Sequence, residues 1–253
     1  MKGVDTHCHI NLKDYSEDFE DVIERIEKRL DFVINIGFDL KSSEESLELA
    51  EKYSFIYAAI GVHPNDALTY NDSIEKQLEE MAKNKKVAAI GEIGLDYYRD
   101  YTPKDVQKNV FRKQLELAEK LKKPVVIHCR DAYEDTINIL KEYKNINGIF
   151  HSYSGSYDTA KLLIDRFYFS ISGPVTFKNA RNIKEIVEKL PIEKILIETD
   201  SPYLTPEPFR GKRNEPCYVE YVAKTVASIK SIDYQEVIDI TTLNARRAFK
   251  IGE

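Results

Sequence analysis

The feature that most constrains this chain is a regular alternation of short apolar segments with longer amphipathic ones. The short segments are rich in Val, Ile, Phe and Tyr, as strands are, and the longer ones are rich in Glu and Lys, as surface helices are. Strands that alternate with helices indicate a parallel sheet whose crossover helices cover its faces. Strands are predicted at 3–9, 32–38, 56–63, 87–93, 124–129, 148–152, 168–172 and 195–200.

Helices are predicted between these strands at 17–29, 43–52, 73–85, 104–122, 132–143, 157–165, 183–190 and 218–229. The segment 104–122 has the clearest pattern, because its apolar residues recur mostly at steps of three and four and so share one face. A further helix, 235–250, follows Asp233, which suits an N-cap. Eight such units predict the α/β class and a single (β/α)8 TIM barrel, and 253 residues suit one domain over 1–253.

Charge and composition exclude several classes of protein. No apolar run approaches the roughly 18 residues of a membrane span, and the first residues lack the apolar core of a signal peptide, so we expect a cytoplasmic protein without membrane association. Three cysteines without CxxC spacing predict neither a disulfide framework nor a zinc knuckle. A net charge of −6 argues against broad clamping of duplex DNA, but bound divalent cations can reverse the local sign where a phosphate sits.

Polar side chains stand at the ends of several predicted strands. Strands of a barrel are buried on both faces and should be apolar, so these residues require a separate explanation. His7 and His9 are two apart on the first strand and therefore point to the same side, which is a chelating arrangement. Residue types that bind metals recur at four other strand ends, and the carboxyl ends of barrel strands are where active sites form. The predicted metal ligands are His7, His9, Glu92, His128, His151 and Asp200.

All five histidines, including His63, lie near predicted strand ends. A single histidine in such a place is usually structural, but six metal-ligand residues together favour a metal site, since unpaired buried carboxylates are costly. Four histidines and two carboxylates exceed the three protein ligands of one catalytic zinc and suit two divalent metal ions with a bridging carboxylate. Zinc, manganese or iron suit mixed nitrogen and oxygen donors, whereas magnesium would bind more weakly. The identity of the metal stays open.

Ordered motifs run through the chain. They are DTHCH at 5–9, GVHP at 61–64, IGEIGLD at 90–96, IHCRDA at 127–132, HSYSG at 151–155, SGPVTF at 172–177, ETDSPYL at 198–204, RGKRNEP at 210–216 and NARR at 244–247. With these motifs the chain resembles the TatD family of metal-dependent deoxyribonucleases, within the amidohydrolase superfamily. Ser152-Tyr153 stands where the family often has Cys-Phe, and Cys129 where Ser is common, but neither departure removes a predicted ligand.

The resemblance implies a division of the ligands between two metals. One metal would lie on His7, His9, Glu92 and Asp200, and the second on Glu92, His128 and His151, with Glu92 as the bridge. It also implies cleavage of DNA phosphodiesters, with 3′-to-5′ exonuclease action the best-known activity of the family. Glu92 stands in place of the carbamylated lysine of many other amidohydrolases, which favours this branch over the lactonases and phosphotriesterases.

The expected mechanism is attack by water on phosphorus, with Asp200 as the base and Glu92 as the second catalytic carboxylate. Residues expected to hold the phosphate are His63, Arg130 and Arg213, with Lys212 a weaker candidate. Each has a structural alternative, because His63 can cap its strand, Arg130 can pair with an acid and the basic loop can be solvated. The tyrosines after the fourth strand, Tyr97, Tyr98 and Tyr101, are expected either to stack a base or to pack their loop. Asp96 and Asp131 are expected to support metal-bound imidazoles.

Two other functions stay open at the level of the sequence. The same metal pair can activate water for a small ester, amide or lactone, or for an aminoacyl-tRNA ester, and the ligands alone do not choose among them. The third possibility is a metal-dependent binding protein without catalysis. The basic loop that contains Arg210 favours DNA, and we expect single-stranded DNA or DNA ends as the substrate, with no obligate protein partner.

Overall fold

A computed structural model describes residues 1–99 and 101–252 of the chain. Its strands agree with the predicted ones in number and order, and they lie in one parallel sheet whose strand order follows the chain. Most of the bounds shift by a few residues. The strands are β1 Gly3–Cys8, β2 Leu30–Ile36, β3 Ile56–Ile60, β4 Val87–Asp96, β5 Val125–Arg130, β6 Gly148–Phe150, β7 Phe167–Ile171 and β8 Ile195–Ile197.

The helices also follow the predicted order. They are α1 Phe19–Arg29, α2 Leu40–Lys52, α3 Asp72–Met81, α4 Lys104–Leu121, α5 Tyr133–Glu142, α6 Tyr157–Lys161, α7 Arg181–Lys189, α8 Val219–Lys230 and α9 Tyr234–Phe249. The largest differences are at α3 and α6, which are predicted to reach residues 85 and 165 but end at Met81 and Lys161. For α6 the cause is visible in the backbone. Beyond Lys161 the backbone turns through short-range bonds, such as Leu163 N–H to Ala160 O at 3.0 Å, before β7 begins.

Local capping explains where several helices begin. The Asp39 side chain accepts a hydrogen bond from Ser42 N at 2.7 Å, and the Ser42 hydroxyl oxygen accepts one from Asp39 N at 3.0 Å. The two bonds form a capping box at the start of α2. The Asp233 side chain accepts from Gln235 N at 2.7 Å, so the predicted N-cap of α9 is confirmed. These bonds satisfy amide groups that the first turn of a helix leaves without a partner.

The chain divides into two compact units. The first comprises Met1–Asn35 and His151–Glu253, and the second is Ile36–Phe150. The first unit contains β1, most of β2, β7 and β8. Within it β1 pairs with β2, with Asp5 opposite Val33, and β7 pairs with β8, with Ser170 opposite Leu196. The single domain predicted for residues 1–253 stays a prediction.

The first unit also joins the ends of β1 and β8. Asp200 N donates to His7 O at 2.8 Å, and His9 N donates to Ser201 O at 2.8 Å. Helix α9 packs against β1 and β8. There the Asn244 side chain donates to Ile192 O at 2.8 Å and Ile195 O at 2.9 Å, so this part of the NARR motif anchors the helix at the start of β8.

The second unit contains β3 to β6, which pair in sequence order. Every residue of β4 is buried, as a central strand covered on both faces should be. The register between β4 and β5 places Gly94 opposite His128 and Asp96 opposite Arg130. Polar residues at the ends of these two strands are therefore neighbours.

None of the described helices is both long and apolar enough to cross a membrane.

Candidate metal centre

In the first unit, His7 and His9 point toward one carboxylate. The Nε2 atoms of both imidazoles lie 3.5 Å from Asp200 Oδ1. His7 is fully buried and His9 is 5% exposed, so both rings are shielded from bulk water. The two-residue spacing on β1 thus brings both imidazoles to the same side, as the sequence predicts, and the candidate ligand atoms of the three residues lie within 4.8 Å of one another.

Asp200 lies just past β8 in a left-handed backbone conformation, with φ of 57°. Burial disfavours its charged form, but the hydrogen bond with His9 and the charges of His151, His7 and His9 outweigh this effect and hold the pKa of Asp200 below its usual range. The carboxylate is consequently ionised at neutral pH and is able both to bind a cation and to accept a proton.

His151 belongs to the same unit and stacks on His7, with the ring centroids 4.0 Å apart. Its Nδ1 lies 3.2 Å from Glu198 Oε1, which also accepts from Ser152 N at 2.7 Å. Glu198 was not among the predicted site residues. A signal for it exists in the sequence, because it precedes Asp200 by two residues and both belong to the ETDSPYL motif.

A third carboxylate, that of Asp5 on β1, supports this group. The Asp5 side chain is fully buried and accepts hydrogen bonds from Thr199 N at 2.9 Å and His7 N at 3.2 Å. Burial raises the pKa of Asp5 well above its usual range, although these bonds oppose the effect. Asp5 therefore ties the ligand-bearing end of β1 to the segment that carries Glu198 and Asp200.

The donor atoms of the first unit fit a divalent cation. His7, His151 and Glu198 form a second set whose candidate ligand atoms lie within 4.8 Å of one another. Glu198 Oε2 is buried and has no hydrogen-bond partner among the described residues. A buried carboxylate oxygen of this kind is costly unless a cation or another donor reaches it. Mixed imidazole and carboxylate donors suit zinc or manganese.

The second unit holds another candidate group, made of His63, Glu92 and His128. Glu92 Oε1 lies 2.8 Å from His128 Nδ1 and 3.7 Å from His63 Nε2, and Glu92 is 5% exposed. The other ring nitrogen of His128 lies 3.1 Å from Asp96 Oδ2. Asp96 thus supports an imidazole, in the role predicted for it.

Asp96 is itself held firmly at the end of β4. Its Oδ1 accepts from Tyr98 N at 3.0 Å and Arg99 N at 2.9 Å. Burial raises the pKa of Asp96, but the hydrogen bond with His128, the backbone bond and the charges of His128 and His63 outweigh it and leave the pKa below its usual range.

His63 was predicted to bind substrate, and its hydrogen bond is consistent with a donor role. The Nδ1 atom accepts from Asn65 N at 3.1 Å, which assigns the proton of the neutral ring to Nε2. An Nε2–H group is a hydrogen-bond donor and has no lone pair for a metal, so in this tautomer Glu92 and His128 are the candidate ligands of the second group. The substrate role itself stays a prediction.

The other predicted substrate residues lie in contrasting environments. Arg130 is exposed, and its guanidinium carbon lies 3.7 Å from the ring centroid of Tyr98. Arg213 is instead engaged by Asp18 through two hydrogen bonds of 2.6 Å and lies over the Tyr15 ring. A phosphate would have to compete with Asp18 for Arg213, and this role too stays a prediction.

The three tyrosines after β4 also differ. Tyr98 and Tyr101 are 61% and 62% exposed, whereas the Tyr97 hydroxyl donates to Asp135 at 2.6 Å. Tyr97 therefore packs its loop, and the other two are accessible for stacking.

The predicted ligands thus fall into one group in each unit. His7, His9, His151 and Asp200 belong to the first, and Glu92 and His128 belong to the second. The number of metals and the bridging role of Glu92 stay predictions.

Gly94 of β4 lies opposite His128 of β5 and leaves no room there for a side chain. A Cβ atom at Gly94 would lie 2.0 Å from His128 O, and φ is +141°. We expect Gly94→Ala to cost at least about 2 kcal/mol in the free energy of unfolding, measured by urea denaturation, and to weaken metal binding by displacing His128. Gly211→Ala is the matched control, because Gly211 also has positive φ but open space around its Cβ position. Equal losses in the two variants would contradict the steric explanation.

Comparison with known proteins supports a family assignment. Residues 4–250 match the family model described as TatD related DNase. An uncharacterized metal-dependent hydrolase of Bacillus subtilis, YabD, is 47% identical over 252 residues, which cover 98% of this chain and 99% of that protein. YcfH of Escherichia coli, also an uncharacterized metal-dependent hydrolase, is 37% identical over 258 residues, which cover 98% of this chain and 96% of that protein.

The crystal structure of the TatD homologue YjjV from Escherichia coli matches with a TM-score of 0.92 at 27% identity and covers 98% of each chain. This match, with eight parallel strands and alternating helices, confirms the predicted TIM-barrel fold class. The family model, the metal-dependent relatives and the histidine and carboxylate groups agree with one another. The chain belongs to the TatD family of metal-dependent hydrolases.

Proposed function

We propose that this hydrolase cleaves DNA phosphodiester bonds and that it acts as a 3′-to-5′ exonuclease on single strands or DNA ends. The matching family model is described as TatD related DNase, which supports the reaction class. The observation that favours a nucleic acid over a small ester is the exposed pair of Arg130 and Tyr98. Arg130 is opposite Asp96 in the β4–β5 register and follows His128 by two residues, so this pair lies beside the metal-ligand group of the second unit.

A divalent cation bound by these groups would supply water of lowered pKa and would offset negative charge on the phosphate. Asp200 takes the proton of the attacking water and later returns one to the leaving 3′ oxygen. Its lowered pKa keeps it in the form that accepts a proton at neutral pH.

Glu92 supplies the carboxylate of the second group, and its Oε1 lies 2.8 Å from His128 Nδ1, the ring nitrogen left to bind a metal when Nε2–H donates to Asp96. His63 donates from Nε2 to a phosphate oxygen, since Nδ1 is occupied by Asn65 N. Arg130 adds a planar guanidinium that can bind phosphate through two parallel hydrogen bonds. Tyr98 offers an exposed ring to the base of the same nucleotide.

The polarity of cleavage tests this proposal directly. Single-stranded oligonucleotides labelled at the 5′ end should give a ladder of products that shorten one nucleotide at a time from the 3′ end. Blocking the 3′ hydroxyl with a bulky group should slow the reaction. Rapid appearance of internal fragments would contradict exonuclease action, and release of single labelled nucleotides from the 5′ end would contradict the polarity.

Variants of the aromatic pair test the nucleotide subsite. Tyr98→Ala should raise KM for single-stranded DNA by about tenfold and change kcat little, because stacking on one base is worth roughly 1–3 kcal/mol. Arg130→Ala should have a similar or larger effect on KM. The matched control is Arg166→Ala. Arg166 also lies over an aromatic ring, with its guanidinium carbon 5.5 Å from the Phe167 centroid. It precedes β7, however, and so lies at the amino end of a strand, whereas Arg130 lies at the carboxyl end of β5. An unchanged KM in both Tyr98→Ala and Arg130→Ala would contradict the proposed nucleotide subsite.

A further inference from the structure

Glu198 is a buried carboxylate with one of its two oxygens engaged by described residues. The residue has no exposed surface. Its Oε1 accepts from Ser152 N at 2.7 Å and lies 3.2 Å from His151 Nδ1. Its Oε2 is buried and has no hydrogen-bond partner among the described residues. The candidate ligand atoms of Glu198, His151 and His7 lie within 4.8 Å of one another.

We propose that Glu198 is a positioning residue of the metal centre, which orients His151 through Oε1 and strengthens cation binding through its negative charge. This inference deepens the metal dependence described above and rests on His7 and His151 as metal ligands. It does not depend on DNA as the substrate.

The orientation follows from the two ring nitrogens of His151. When Nδ1–H donates to Glu198 Oε1, the lone pair of the neutral ring is on Nε2, which is then the atom able to bind a metal. The second unit has the corresponding arrangement, in which Asp96 Oδ2 lies 3.1 Å from one ring nitrogen of His128. In each unit a carboxylate that is not a predicted ligand supports a predicted imidazole ligand.

The negative charge of Glu198 also favours cation binding. The ion pair that the described residues provide for Glu198 is with His151, and no lysine or arginine among them pairs with it. Asp96 differs, because its other oxygen accepts two backbone N–H groups. Burying a carboxylate without such partners lowers stability, and a nearby cation removes that cost. The carboxylate should therefore destabilise the metal-free protein and stabilise the metal-bound one.

Glu198→Gln separates these effects, because the amide keeps an oxygen for Ser152 N and His151 and removes the charge. The matched control is Glu215→Gln, since Glu215 is also mostly buried, at 8% exposed, but pairs with Arg25 at 2.7 Å. Each full-length protein is stripped with chelator and dialysed. Zn²⁺ is then titrated in competition with a chromophoric chelator, and thermal unfolding is followed with and without Zn²⁺.

In Glu198→Gln, Zn²⁺ affinity should fall by about 10- to 100-fold at one site. The Tm of its metal-free form should rise by roughly 2–4 °C. In Glu215→Gln the metal-free Tm should fall because an ion pair is lost, and Zn²⁺ affinity should not change. Unchanged Zn²⁺ affinity in Glu198→Gln would overturn the proposal. A lower metal-free Tm, or failure of that variant to fold, would also overturn it, because Glu198 would then have a structural role alone.

A double-mutant cycle tests whether Glu198 acts through His151. The loss of Zn²⁺ affinity caused by Glu198→Ala, which removes the acceptor of His151 Nδ1–H, should be several-fold smaller when His151 is already replaced by Ala, because orientation of the imidazole no longer matters. Equal losses in both backgrounds would overturn the positioning role. No DNA is present in these measurements, so their failure is distinguishable from failure of the proposed nuclease activity.

Discussion

Asp200→Asn should lower kcat for DNA cleavage by at least about a thousandfold with the fold retained. Loss of a general base costs typically 10²–10⁴ in rate, and Asp200 is in addition a predicted metal ligand. Asparagine has nearly the same shape but cannot take a proton from water at neutral pH. It also tolerates the left-handed backbone at this position, where φ is 57°. The measurement is single-turnover cleavage of a labelled oligonucleotide at saturating enzyme and metal.

Asp158→Asn is the control for this variant, because it removes one negative charge from an exposed carboxylate on α6. It should leave kcat unchanged. Circular dichroism and thermal unfolding establish that Asp200→Asn folds. Undiminished metal-dependent turnover by the folded Asp200→Asn protein would contradict the role assigned to this carboxylate.

Removing divalent metal should abolish activity and lower thermal stability, both reversibly. Histidines and carboxylates that converge on one another are stabilised when a cation binds them, and a ligand at 100 times its Kd adds about 2.7 kcal/mol to the folded state. For a chain of this size that corresponds to a Tm increase of roughly 5–10 °C. Thermal unfolding of chelator-treated protein before and after dialysis into Zn²⁺ or Mn²⁺ measures this shift.

The His7→Ala variant should lose most of this metal-dependent increase, since its imidazole nitrogen lies 3.5 Å from Asp200 and its ring stacks on His151. A Tm that does not respond to metal in the wild-type protein, together with full activity in chelator, would contradict a metal centre at these residues.

The sequence was sufficient to predict the strands, the helices and the fold class, because these follow from local apolar periodicity. It also predicted that the His7 and His9 imidazoles would point to the same side of β1, because the alternation of side chains along a strand is a local property. The Asp233 N-cap was predictable for the same reason, since its partner, Gln235, lies two residues further on.

Contacts between distant parts of the chain could not be predicted in this way. Arg213 pairs with Asp18 across 195 residues of sequence, and nothing local to the basic loop indicates this partner. Glu198 lies 47 residues from His151 in the sequence, so the contact between this carboxylate and the His151 ring is visible only in the folded chain. The short length of α6 likewise depends on the turns that lead into β7 and not on helix periodicity.

The most direct test compares substrate classes with the same metal-loaded protein. End-labelled single-stranded and double-stranded oligonucleotides, a panel of carboxylic esters and lactones, and an aminoacyl-tRNA are each incubated with protein loaded with Zn²⁺ or Mn²⁺, with and without chelator. We expect stepwise shortening of the oligonucleotides that requires metal, is faster on single strands and is lost in Asp200→Asn. Efficient metal-dependent hydrolysis of an ester, lactone or aminoacyl-tRNA with intact oligonucleotides would contradict the assignment of DNA as the substrate.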